Sequence, residues 1–117
     1  LVAIWTVITA AAGAEVHRVG GSTGWTTINI TADFYRDWVA SQRFNVGDTL
    51  LFQYNSNFHN VVRVTHRNYN ACNATTPYAT WTSGNDSFLI PRPGHFYFIC
   101  GFTHHCEAGQ KLDVRIV

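Results

Sequence analysis

Apolar and polar positions alternate along much of the chain, and the alternation stops at turn residues. Residues 15–19 (EVHRV) alternate and then meet Gly20, Gly21, Ser22, Thr23 and Gly24, a turn leading into Trp25. After the Gly47-Asp48 turn signal, residues 49–54 place Leu50, Phe52 and Tyr54 on one face, and residues 58–64 follow the polar turn 55–57. Residues 86–90 make a short apolar stretch closed by Pro91 and Pro93. Residues 94–100 (GHFYFIC) are dense in strand-forming side chains, and residues 111–117 set Leu112, Val114 and Ile116 on one side. Period-two patterns of this length, bounded by Gly, Pro and Asn, predict strands. Only residues 33–42 (DFYRDWVASQ) carry helical spacing, with Phe34, Trp38 and Val39 recurring on one side and Asp33 placed to cap. Short strands at regular spacing with one or two short helices predict an all-β, antiparallel sandwich or barrel. The length of 117 residues, without repeat or linker, corresponds to one domain.

Residues 1–14 (LVAIWTVITAAAGA) stand apart. They carry no charge, end in Ala12-Gly13-Ala14, and give way to polarity at Glu15. A membrane span needs about 20 apolar residues, so this stretch reads as the apolar part and small-residue end of a secretory signal. The expected organisation is therefore a signal end at 1–14 and one folded domain at 15–117. Three N-x-S/T sequons, at Asn29, Asn73 and Asn85, favour export and are the candidate glycosylation sites. Export implies an oxidising compartment in which cysteines pair. Charged residues make up 13% of the chain and the net charge is +1, so nothing calls for nucleic acid or an anionic membrane surface as partner. With 46% hydrophobic and 15% aromatic residues the chain can bury a core, which excludes a disordered reading.

Candidate chemistry concentrates in residues 100–111 (CGFTHHCEAGQK), between two predicted strands, with a further His59 near the start of an earlier one. A thiolate, two imidazoles and a weak neutral donor are the set expected of a blue-copper electron-transfer site. Together they suit both Cu(I) and Cu(II) while giving neither its preferred geometry. If rigid strands hold them, little moves when an electron arrives. Thiolate and imidazole are also zinc ligands. The three cysteines leave one unpaired after a single disulfide, and metal ligation accounts for such a thiol, the alternative being a buried Cys100 acting as a small hydrophobe. If Cys100 is the ligand, Cys72 and Cys106 are left to pair. His17, His66 and His95 read as surface residues, Trp25, Trp38 and Trp81 as packing residues, and Asp48 as turn chemistry. No Ser/His/Asp arrangement, paired carboxylates or phosphate loop is evident, so the chain is not read as an enzyme.

These residues carry a resemblance. Val19-Gly20-Gly21 to Gly24-Trp25-Thr26, Phe44-Asn45-Val46-Gly47-Asp48, Phe58-His59-Asn60-Val61, and Phe96 to Cys100 followed by Gly109-Gln110-Lys111 are similar to the phytocyanins, the plant blue copper proteins of cupredoxin fold, most of all to the stellacyanin and uclacyanin side. The resemblance covers essentially all of residues 15–117. It implies a cupredoxin-like Greek-key β-sandwich holding one type 1 copper ion on His59, Cys100, His105 and the axial Gln110. It implies a disulfide between Cys72 and Cys106, and it selects His105 over His104, which stands exposed beside the site. Many relatives carry Met at the axial place. An amide oxygen is a harder donor than a thioether, so Gln110 favours Cu(II) and lowers the reduction potential. Thr103-His104 replaces the Pro-containing pair often found before the ligand histidine. The implied function is single-electron transport by Cu(II)/Cu(I) cycling outside the cell, in the cell wall or at the outer face of the plasma membrane. The expected protein is a monomer serving an unidentified redox partner, anchored to membrane only through a C-terminal extension beyond Val117. Two other readings stand beside it: a cell-surface interaction or structural glycoprotein module in which copper is incidental, and a copper oxidoreductase acting on small phenols or oxygen species. The second is weakened because four protein ligands leave no open position.

Overall fold

The computed structural model describes residues 2–5 and 13–117. Of the expected signal segment 1–14, residues 1 and 6–12 lie outside the described residues. Among the described residues seven strands and two short α-helices follow in the order β1 (Val16–Arg18), α1 (Phe34–Ala40), β2 (Thr49–Gln53), β3 (Val61–Val64), α2 (His66–Ala71), β4 (Ala79–Trp81), β5 (Asn85–Leu89), β6 (Gly94–Ile99) and β7 (Lys111–Ile116). They form two sheets, one ordered β1-β2-β5 and the other β4-β3-β6-β7. The expected all-β sandwich is therefore present.

The alternating segments bury one face each, as period two requires. On β7 Leu112, Val114 and Ile116 point inward, and on β2 Leu50 and Phe52 do. Between the sheets they meet Trp25, Tyr35, Phe96 and Phe98, each burial of a large apolar side chain being worth about 1.5–3 kcal/mol. β3 departs from alternation because both its faces are covered. A second cluster forms beyond the larger sheet, where Val62, Val64, Ile99 and Cys106 pack against Tyr69 and Tyr97 beneath α2.

Three features differ from the sequence expectation. β1 pairs with β2 in parallel, Val16 opposite Thr49, so the smaller sheet is mixed. A parallel neighbour needs a long crossover, and the chain from Arg18 to Thr49, which contains α1, supplies it. The sequence pattern locates neither α2, the second of the short helices allowed for, nor β4. The sequence of α2 (HRNYNA) has no apolar stripe, and its start is set by the Thr65 hydroxyl, which accepts from the Asn68 amide at 3.1 Å. His17 is not a surface residue. It is 5% exposed, with Nε2 2.8 Å from Asp48 Oδ2 and Nδ1 2.9 Å from Gln42 Oε1. Asp48 also accepts from the Glu15 and Asn45 amides, so it joins the turn 45–48 to the entry of β1.

Gly20 shows why the turn after β1 needs glycine. Its φ is 78°, and a Cβ there would lie 2.3 Å from the Gly24 carbonyl oxygen, a contact no side chain tolerates.

Candidate metal centre

The site sits at one end of the antiparallel β3–β6 pair. Val62 faces Ile99, so His59, just ahead of β3, and Cys100, just beyond β6, emerge on the same edge. The chain then loops through residues 101–110 and re-enters the sheet as β7, with Ile99 opposite Lys111. The loop closes on itself: the Cys100 amide donates to the Gln110 carbonyl at 3.1 Å, the Gln110 amide to the His105 carbonyl at 3.0 Å, and the Gly109 amide to the Cys106 carbonyl at 3.0 Å. Gly109, with φ 113°, lies so close to Ala32 that a Cβ would meet its carbonyl oxygen at 2.9 Å. A bond between Cys72 and Cys106 fastens the loop to the end of α2 across 34 positions.

His59 Nδ1 or Nε2, Cys100 Sγ and a His105 ring nitrogen all lie within 4.8 Å of one another. Cys100 Sγ is 3.5 Å from His105 Nδ1, and the two imidazole centroids are 5.0 Å apart. Gln110 is wholly buried, with Oε1 3.1 Å from His59 Nδ1. The structure thus gathers His59, Cys100, His105 and Gln110 in one place. His104 is turned away, exposed, with φ 67°. Asn29, Asn73 and Asn85 are all exposed. The Asn73 Oδ1 accepts from the Thr75 amide at 2.9 Å, and the Asn85 Oδ1 accepts from Gln53 Nε2 at 3.1 Å.

The chemistry of the donors fits a soft or borderline cation. Burial pushes the Cys100 thiol above its ordinary pKa, although amide hydrogen bonds from Asn60 and Phe102 work against this. An ion taking the sulfur therefore displaces a proton. Burial also lowers the His59 pKa, which the contact with Gln110 opposes and the neighbouring His105 reinforces. Its neutral form, the one that ligates metals, prevails. The Gln110 amide can present either end. With the ends exchanged, its nitrogen lies 3.1 Å from His59 Nδ1 and 3.3 Å from His105 Nδ1, and its oxygen 3.2 Å from Trp25 Nε1. Free ring lone pairs ask for the N–H end, whereas a cation held by those lone pairs asks for the oxygen.

Asn60, which is not among the sequence-predicted site residues, joins the two halves of the site. Asn60 Oδ1 accepts from the Gly101 amide at 2.6 Å, and its carbonyl accepts from the Trp25 indole at 2.8 Å. Asn60 thereby ties the His59 strand to the Cys100 loop and to the core. Its place directly after His59 was the available signal.

Comparison with known proteins places this geometry. The plastocyanin-like domain model matches residues 25–110. Stellacyanin from Toxicodendron vernicifluum is 38% identical over 102 residues, covering 86% of this chain and 95% of its own. Early nodulin-like protein 14 from Arabidopsis thaliana is 40% identical over 107 residues, which is 91% of this chain but 59% of that longer relative. The solved structure of cucumber stellacyanin with Cu2+ aligns with a TM-score of 0.82 at 33% identity, covering 91% of this chain and 97% of that one. Two sheets, the strand-end cluster and these likenesses together show a cupredoxin-like fold, and the chain belongs to the plastocyanin-like family, on its phytocyanin branch.

Proposed function

We propose that this protein carries single electrons outside the cell on one type 1 copper ion, held by His59, Cys100 and His105 with the Gln110 amide as axial donor. The observation that carries the reading is the convergence of one sulfur and two imidazoles within 4.8 Å, with no carboxylate among them, in a family that includes a solved stellacyanin bearing Cu2+. Copper bound here supplies a one-electron couple between Cu(II) and Cu(I). The chain supplies rigidity. Two strand ends, the Asn60 clasp and the closed 100–110 loop hold the donors where both oxidation states can use them. Burial of Cys100 and Gln110 keeps water from the sulfur. His105, half-buried and stacked beside Phe102 at 5.9 Å, and the edge of His59 border a surface depression of about 380 Å³ shared with Ile28 and Phe58. Ile28 and Phe58 are 68% and 60% exposed, so a redox partner can approach the histidine edges there without stripping charges of water.

The arrangement supports a carrier, not an enzyme, because four enclosing side chains leave no place for a substrate on the ion. Exposed Asn29, Asn73 and Asn85 are available to glycans, which supports export. Titration of the purified protein with Cu(II) tests the proposal. The expected result is an intense blue colour that saturates at one ion per chain, bleaches reversibly with ascorbate, and is absent from a folded Cys100→Ser variant. A colourless protein, or a Cys100→Ser variant that stays blue, would contradict it.

A further inference from the structure

A second groove, of about 440 Å³, opens at the other end of the β3–β6 ladder. At 3.3 Å per residue Arg63 stands roughly 13 Å along the chain from His59, so the groove is separate from the metal centre. Its charge is unbalanced. The Arg63 guanidinium lies over the rings of Tyr78, Phe88 and Phe96 at 5.2, 5.2 and 5.3 Å, and that of Arg92 over Phe96 at 5.4 Å. Aromatic faces hold both cations in position. Among the described residues no carboxylate pairs with either. Burial and the nearby Arg92 charge both lower the pKa of Arg63, with Tyr78 opposing. Opposite stands a polar aromatic wall. Tyr97 stacks with His66, at 4.9 Å and 20°, and with His95, at 5.5 Å and 5°. His95 is itself steadied by Asp113 at 3.1 Å. Tyr78 is 65% exposed and offers a ring to the groove.

We propose that this groove binds the carboxylate of an acidic sugar. Two preset guanidinium forks match a two-oxygen anion. Phenol and imidazole groups match ring hydroxyls, and the exposed Tyr78 ring matches the C–H face of a pyranose. The volume lies within the range of small-molecule sites. A bare oxyanion would use the arginines and leave the aromatic wall idle, and a net charge of +1 gives no basic track for a polyanionic nucleic acid.

Calorimetric titration at low ionic strength with a galacturonic acid trimer, its fully methyl-esterified counterpart and inorganic phosphate tests the assignment. The acid trimer is expected to bind, with the ester and phosphate at least tenfold weaker. Arg92→Gln, at an exposed position, should weaken the trimer about tenfold, the usual loss for one charge-assisted contact, while leaving copper uptake unchanged. Amide NMR shifts on trimer addition should centre on residues 63–66 and 95–97. The proposal is overturned if the acid trimer does not bind, if phosphate binds as tightly, if the ester binds equally well, or if Arg92→Gln and Arg63→Met both bind like the parent.

Discussion

In the proposed copper centre Gln110 is the side chain expected to set the potential. It is fully buried, and its amide faces both imidazoles. Methionine has similar volume, so Gln110→Met exchanges the donor with little disturbance of packing. Losing the harder oxygen removes a preference for Cu(II). A preference worth one factor of ten equals about 59 mV for a one-electron couple, and a rise of at least that order is expected by voltammetry. An unchanged or lower potential would remove Gln110 from the axial place. At this scale the sequence was legible where chemistry is local: Cys100, His105 and Gln110 share one short loop, and a free thiol among histidines is hard to read otherwise. Asn60 and His17 were not legible. Their roles rest on partners 41 and 31 positions away, Gly101 and Asp48, and no short pattern encodes such a pairing.

Among the elements, the loop 100–110 is held by strand ends on two sides and by the Cys72–Cys106 bond on the third. Cys72 ends α2 in the left-handed conformation, φ 50°, and the Lys111 ammonium donates to the Tyr69 carbonyl at 2.8 Å, so α2 is tied to both the loop and the start of β7. Closing a loop of this span restricts the unfolded chain by about 3–4 kcal/mol in the chain-entropy model. Urea unfolding of a Cys72→Ala, Cys106→Ala protein should show a loss of that order. A loss below about 1 kcal/mol would mean that the strand contacts alone hold the loop. β6 and β7 could be read from sequence because their apolar positions alternate or run together over six residues each. β4 could not, since its three residues are shorter than any periodicity can register. α2 could not either, because it earns its place through Tyr69 and a threonine cap, with no apolar stripe.

For the molecule as a whole, the parallel β1–β2 pairing closes the smaller sheet, and the buried Asp48 fastens it. Burial raises the Asp48 pKa, but the Glu15 amide, the His17 ring and the Asn45 amide together outweigh burial and bring it below the ordinary value. A carboxyl with a lowered folded pKa stabilises fully above its unfolded value, about 3.9, and loses that contribution as pH falls through the folded one. Melting temperature should therefore fall steeply below about pH 4 in the parent, and Asp48→Asn should melt lower at neutral pH with a flatter acid limb. Parallel curves would show that other carboxyls govern acid unfolding. The two-sheet class was legible from strand spacing, but the parallel pair was not, because direction depends on the long crossover and not on the pattern within either strand. The claim that binds all three scales is that the ends of β3 and β6 present one sulfur and two ring nitrogens to a single copper ion. X-ray absorption at the copper edge of the loaded protein tests it most directly. The account predicts one short sulfur neighbour and two nitrogen neighbours; a shell of nitrogen and oxygen alone would contradict it.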